Sequence, residues 1–173
     1  MNLRTRLTVL CGVALLAASG SFGVGVAGAD PDDGIPSTLP FTDAWCTDVV
    51  PTIVGTPKDD VIVAPVGSND VIDGLGGDDT IHGLDGDDVI LGSDGDDEIH
   101  AGDGDDLVCA GMGEDEADGG AGNDGIYGQG NDDDMRGGPG GDWLFGGAHN
   151  QGDRGDGEAG VDACPTTEIT VSC

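Results

Sequence analysis

Between Gly55 and Phe145 the chain repeats a nine-residue unit, Gly-x-x-Gly-x-Asp-x-apolar-x, ten times with a single slip at Ala64. A period of this kind fixes the architecture before any single residue does, because each unit must bury its apolar side chain against its neighbours. The sixth position reads Asp60, Asp70, Asp79, Asp88, Asp97, Asp106, Asp115, Asp124, Asp133 and Asp142. The eighth reads Ile62, Ile72, Ile81, Ile90, Ile99, Val108, Ala117, Ile126, Met135 and Leu144. Glycine in the first five positions allows sharp turns through left-handed backbone. Triplets such as Val61-Ile62-Val63 have the β-branched character of strands. Each unit therefore reads as one turn and one short strand, and two successive units as one full circuit of a parallel coil.

That circuit places each residue above its counterpart two units earlier, at the strand spacing of about 4.8 Å. One edge then carries Asp70, Asp88, Asp106, Asp124 and Asp142, and the other Asp79, Asp97, Asp115 and Asp133. Carboxylates stacked so closely do not all stay ionised without a counter-ion. Oxygen donors at glycine-rich turns suit calcium, which accepts 6–8 oxygens in flexible geometry, better than magnesium, which demands an octahedron and keeps its water.

Composition supports the same reading. The chain has 35 acidic and 5 basic residues and 3% aromatics, so a core of large rings is not available. Without the period it would read as disordered. From Asp30 onward only Lys58, Arg136 and Arg154 oppose all 35 acids, a formal charge of −32. Nucleic acid and anionic membrane are excluded as partners by repulsion.

Residues 1–29 follow other rules. Arg4 and Arg6 precede an apolar stretch from Leu7 to Ala18, and Ala27-Gly28-Ala29 supplies small residues before Asp30. This is the pattern of a secretory signal peptide cleaved after Ala29, and the stretch is too short and too glycine-broken to span a membrane. A secreted or envelope-associated protein with no membrane span after cleavage is expected. Cys46, Cys109, Cys164 and Cys173 then form an even set in an oxidising setting, with three possible pairings. The preferred pairing is Cys46 with Cys109, tying the entry segment to the stack, and Cys164 with Cys173, closing the tail.

The units resemble the GGxGxDxUx nonapeptide of RTX, or hemolysin-type, calcium-binding proteins, over Gly55 to Phe145 and again, in degenerate form, at Gly157-Glu158-Ala159-Gly160-Val161-Asp162. The resemblance implies an all-β, right-handed parallel β-roll holding several calcium ions. It also implies ligation by sixth-position aspartates of units two apart, with turn carbonyls: Asp70/Asp88, Asp88/Asp106, Asp106/Asp124 and Asp124/Asp142 on one edge, Asp79/Asp97, Asp97/Asp115 and Asp115/Asp133 on the other. Asp60 departs, because the Ala64 insertion throws it out of step with Asp79 and Gly55-Thr56-Pro57-Lys58 lacks the fourth glycine. Asn131 replaces the fourth glycine of its unit, and the period fails beyond Gly147. Calcium is expected to be weaker or absent at both ends.

Fifth-position Asp59, Asn69, Asp78, Asp87, Asp96, Asp105, Glu114, Asn123 and Asp132 read mainly as solvated turn formers. His82 and His100, both at position nine and two units apart, are expected as exposed stacked neighbours without a third metal ligand. Leu91, Cys109, Tyr127 and Phe145 form an outward apolar column on the other sheet, to be covered by residues 30–52 or left as a partner surface. No His-Glu-x-x-His, Gly-x-Ser-x-Gly or phosphate-binding Gly-x-x-x-x-Gly-Lys occurs.

The expected organisation is signal peptide 1–29, covering segment 30–52, β-roll 53–147, and degenerate repeat with disulfide cap 148–173. The expected role is non-enzymatic extracellular calcium binding with calcium-dependent folding. Two other uses stand beside it: an adhesion or recognition module that meets a cell-surface or matrix component through its outer faces, and a small secreted hydrolase whose site no motif reveals.

Overall fold

The computed structural model describes residues 46–47, 49–148, 152–160 and 170–172. The signal-peptide segment, Phe41, Trp45, His149, Asp162 and the proposed Cys164–Cys173 pair lie outside them. Fifteen strands follow in order: β1 (Ile53–Val54), β2 (Val61–Val63), β3 (Val71–Asp73), β4 (Thr80–Asp85), β5 (Val89–Asp94), β6 (Glu98–Asp103), β7 (Leu107–Met112) and β8 (Glu116–Ala121). Then come β9 (Gly125–Gly130), β10 (Asp134–Arg136), β11 (Pro139–Gly140), β12 (Trp143–Ala148), β13 (Arg154–Asp156), β14 (Ala159–Gly160) and β15 (Thr170–Ser172). Among the described residues there is no helix, so none is long and apolar enough to cross a membrane.

Alternate strands go to opposite sheets. The first sheet runs β1-β3-β5-β7-β9-β12 and the second β2-β4-β6-β8-β10-β13-β15, with β11-β14 as a separate pair. All the pairings are parallel, and through the regular units each residue pairs with its counterpart two units on, as in Ile81↔Ile99 and Val108↔Ile126. This is a parallel β-solenoid, with two units to a coil as the period requires. The Ala64 slip is absorbed in the first coil, where Ile62 still pairs with Ile81 despite the inserted residue between them.

The core is the eighth-position column. Ile62, Ile72, Ile81, Ile90, Ile99, Val108, Ala117, Ile126, Met135 and Leu144 are all buried in one cluster with Ala64, Ala101 and Ala110. A strand's side chains alternate between faces, so only one residue per triplet can point into the narrow space between the sheets. The residues on either side, such as His82 and Thr80, face outward. This arrangement needs no large aromatic, which is why a chain so poor in them folds.

The stack does not stop where the period fails. β13 pairs with β10 in the register Asp134↔Arg154 and Met135↔Gly155, a wider offset than the regular coils use. β14 pairs with β11 at the same offset, so the degenerate unit at Gly157 stacks too.

Cys46 and Cys109 are joined, their Cα atoms 5.9 Å apart and 63 residues apart in sequence. Closing a loop of that length removes denatured-state freedom equivalent to about 4 kcal/mol in the chain-entropy model. The Cys46→Ser/Cys109→Ser variant is expected to unfold at lower temperature in calcium by that order of free energy and to need more calcium to fold. Equal melting temperatures for variant and parent would show the bridge to be mechanically idle.

Candidate metal centre

Each turn begins where a strand ends and carries the chain across the edge of the roll. From the unit at Gly74 onward its second residue takes left-handed backbone whatever its identity: Leu75 has φ 76°, Leu84 81°, Ser93 83° and Gln129 76°. Asn131, standing where other units have glycine, has φ 82°. Asparagine is among the residues that tolerate this region best, so its unit keeps its shape.

The turn delivers the sixth aspartate to the interior edge. Asp79, Asp88, Asp97, Asp106, Asp115, Asp124, Asp133 and Asp142 are all buried, at most 4% exposed. Their Oδ1 atoms form a ladder, each accepting the backbone N–H of the sixth residue one coil earlier. Asp70 donates to Asp88 at 2.8 Å, Asp79 to Asp97 at 2.8 Å, Asp88 to Asp106 at 2.7 Å and Asp97 to Asp115 at 2.9 Å. Asp106 donates to Asp124 at 2.9 Å, Asp115 to Asp133 at 3.1 Å and Asp124 to Asp142 at 2.9 Å. The second oxygens differ: Oδ2 of Asp79, Asp88, Asp97, Asp106, Asp115, Asp124 and Asp133 is buried without a hydrogen-bond partner. A buried carboxylate oxygen left so costs several kcal/mol unless something cationic or a proton meets it.

The place where such a partner fits is outlined by the first-position glycines. A Cβ built on Gly83 would fall on both Asp88 Oδ2 and the Ala101 carbonyl oxygen, and one on Gly92 on both Asp97 Oδ2 and the Ala110 carbonyl. Gly74 and Gly128 show the same convergence, with Asp79 Oδ2 and the Gly92 carbonyl, and with Asp133 Oδ2 and the Gly146 carbonyl. Each is a cradle of one carboxylate and one carbonyl oxygen. Among the described residues no three His, Cys, Asp or Glu side chains gather at one point, so backbone carbonyls must complete an ion's shell. An all-oxygen donor set of this kind fits calcium.

The electrostatics agree. Desolvation by burial pushes the carboxyls of Asp88 and Asp97 up to about 6, those of Asp106, Asp115 and Asp133 to about 7 and that of Asp124 to about 8. Asp79 moves up for the same reason. The amide donated to Oδ1 pulls each back, and neighbouring carboxylates add a smaller upward push. Burial and stacking thus favour a neutral or cation-bound column over a bare anionic one.

The two ends of the array depart from this pattern. Asp60 is only half-buried, and its Oδ2 accepts the Thr56 backbone N–H at 2.6 Å and the Thr56 hydroxyl at 2.7 Å. Asp70, grouped with the others by sequence, is also half-buried, and its Oδ2 accepts the Ser68 hydroxyl at 2.7 Å. At the other end Asp153, which sequence reasoning missed, is buried and accepts the Asp133 N–H through Oδ1 at 3.0 Å. A Cβ on Gly146 would strike its Oδ2, as in the regular units. The signal was Gly146-Gly147 followed by Gly152-Asp153, hidden by an insertion and by Gly155 at the apolar position.

The fifth-position side chains do more than face solvent. Their oxygens form a second ladder of opposite sense, accepting amides from the coil that follows: Asp78 Oδ1 from Asp96 N–H at 3.1 Å, Asp96 from Glu114 at 2.9 Å and Asp105 from Asn123 at 2.8 Å. Those turn amides point sideways along the axis, where the neighbouring carboxylate stands. His82 and His100 stack as expected, ring centroids 5.0 Å apart, and His100 Nε2 lies 3.1 Å from Glu98 Oε1.

A parallel β-solenoid with an acidic, oxygen-lined column buried along each edge is the architecture of a cation-binding β-roll. The family model of the RTX calcium-binding nonapeptide repeat matches in four copies, over residues 66–97, 82–117, 110–144 and 127–150, and this repeat segment belongs to that family. The repeats bind calcium, several ions along the array. Comparison with curated proteins and with solved structures gave no match.

Proposed function

We propose that the protein is an exported, non-enzymatic structural component whose β-roll forms when calcium enters the turns. The observation that carries the proposal is the set of buried Oδ2 atoms, repeated coil after coil with no hydrogen-bond partner from Asp79 to Asp133. Asp79, Asp97, Asp115 and Asp133 would hold ions along one edge, and Asp88, Asp106, Asp124 and Asp142 along the other, with first-position carbonyls completing the shells. Asp70 has a ready hydroxyl partner in Ser68 and would sit at the weak end of its column. Bound calcium supplies the positive charge that lets the columns stay ionised while buried, so binding free energy becomes folding free energy.

Export is supported by the sequence pattern of residues 1–29 and by the Cys46–Cys109 bridge, since such bonds persist in oxidising compartments. A calcium-rich medium outside the cell would suit sites of the roughly 10⁻⁴–10⁻³ M affinity typical of extracellular modules.

Calcium counting tests the ligand assignment. Equilibrium dialysis of the chain from Asp30 to Cys173 is expected to give several ions at millimolar calcium, and far fewer at equal magnesium. Asp97→Asn and Asp106→Asn, one on each edge, should each lose the ions above and below the changed residue. Asp60→Asn should lose none, because Thr56 already serves that carboxylate. Undiminished binding by both interior variants would remove the sixth-position aspartates from the ligand set.

A further inference from the structure

The large apolar side chains that stay exposed are not spread evenly along the roll. Of seven among the described residues, five stand at its N-terminal end: Val50, Val54, Val61, Val63 and Val66, between 56% and 81% exposed. Val54 lies on β1, Val61 and Val63 on β2, and Val66 in the turn that follows. These two strands are also the last of their sheets, and among the described residues neither has a neighbour on its free side. Ile62 is 8% exposed where the inner isoleucines are at 0%, so the core column reaches the surface here. Repeat arrays ordinarily close such an end with a polar outer face. A free strand edge flanked by valines is instead a template for another strand.

Geometry and charge select the occupant. β1 and β2 belong to one coil, so their two edges are level, and a partner that pairs both must itself present two edges at the same separation. A lone peptide strand meets only one. The far end of the roll does not qualify, because there the second sheet runs one strand further than the first, to β15 against β12. The N-terminal end of a second copy does. Residues 50–66 carry only Lys58, Asp59 and Asp60, a net charge of −1, whereas 67–85 carry Asp70, Asp73, Asp78, Asp79 and Asp85, a net −5. Two copies of so acidic a chain therefore approach with least repulsion through the first coil. Turning the second copy by 180° about an axis parallel to the strands sets β1 antiparallel to its β2, and β2 to its β1, since strands of consecutive units run in opposite directions. Val54 then lies beside Val61 and Val63 of the second copy, a cross-strand pairing of β-branched side chains. At one edge the exposed Lys58 of each copy faces the exposed Asp59 of the other, and at the opposite edge the two Val66 turns meet.

We propose that the first coil is an isologous interface at which two copies of the chain join edge to edge, each sheet of one roll continuing into the other sheet of its partner. The joined ends are small, so the pair belongs to the weak, concentration-dependent class of association. The contact needs a formed roll but not the ligand assignment, because Asp60 and Asp70, the sixth aspartates of this end, already have Thr56 and Ser68 as partners.

In calcium, with strand content checked by circular dichroism, sedimentation equilibrium of the chain from Asp30 to Cys173 over a concentration series should show monomer passing to dimer and stopping there. Val61→Asp/Val63→Asp alters only exposed side chains, so it should keep the strand signal. It should raise the dissociation constant by about a hundredfold or more, because it adds acidic side chains at a junction between two acidic rolls. A mixture of Lys58→Glu and Asp59→Lys chains should dimerise better than either variant alone, since each supplies the charge that the other lacks. Position is read separately: Val66→Cys should give a covalent dimer on mild oxidation, while Met112→Cys, 67% exposed but at the end of β7 in a middle coil, should not. A single-chain mass at every concentration, species that go on growing past the dimer, or equal crosslinking at positions 66 and 112 each overturn the proposal.

Discussion

Stripped of calcium at pH 8 the chain is expected to give a coil spectrum, and lowering the pH to 5 without adding any metal is expected to recover strand. The reason is the direction of the carboxyl shifts. Asp88, Asp97, Asp106, Asp115, Asp124 and Asp133 are raised in the folded roll from an ordinary 3.8 to between about 6 and about 8. The metal-free fold therefore binds more protons than the unfolded chain, and its stability falls as pH rises. That contribution is fully present below about pH 4 and is lost as pH climbs through 6 to 8. At pH 5 the buried columns are protonated, while the chain remains above its isoelectric point near 4.1 and keeps some net charge. Calcium at pH 8 should produce the same strand signal by a different route, replacing protons with cations, and should do so cooperatively because each interior aspartate would serve two neighbouring sites under the proposed ligation. Apparent calcium affinity should consequently rise with pH over the same window. Circular dichroism in calcium-stripped buffer at pH 8 and pH 5, followed by calcium and magnesium titrations at pH 8, measures all of this. A coil at pH 5, or a folded chain at pH 8 without metal, would contradict the assignment of the columns as the main obstacle to folding.

The second large effect is steric. Gly95, fourth in its unit, has φ 133°, and a Cβ there would strike the carbonyl oxygen of Gly77 in the coil before. The oxygen belongs to backbone, held by the ladder, so it cannot swing aside. Gly95→Ala is expected to destabilise the roll by several kcal/mol, from the unfavourable backbone region and from prising two coils apart. Leu84→Gly makes the opposite change at a second position, where a left-handed leucine at φ 81° is relieved. The gain should be at most about 1 kcal/mol, because glycine's extra freedom when unfolded offsets part of the relief. The calcium midpoint of the coil-to-strand transition reads both, moving far upward for the first and slightly downward for the second. Equal midpoints for Gly95→Ala and parent would mean that neighbouring coils are not in contact at that turn.

Much of this protein is written in its period. Nine-residue spacing, with glycine at the turn and one apolar residue per triplet, allows a coil of two units and little else, so the two-unit register, the isoleucine column and the paired edges of aspartates follow from sequence. The distinction between sheets follows as well, since alternate units must face alternate ways.

What the sequence could not rank is which oxygens find other partners. Asp70 looks like every other sixth aspartate, yet Ser68 reaches its second oxygen, a local encounter decided by how the turn closes; Asp60 already stood apart in the sequence, though not for the Thr56 contact that meets its second oxygen. Asp153 fell out of the count because an insertion breaks a period without breaking the stack. The fifth-position ladder was invisible for the same reason: its partners come from other coils that only folding brings near. Periodicity reports what each unit does alone and identically. Tertiary structure decided the rest, because hydrogen bonds and contacts across coils depend on sub-ångström positions that a repeat pattern does not encode.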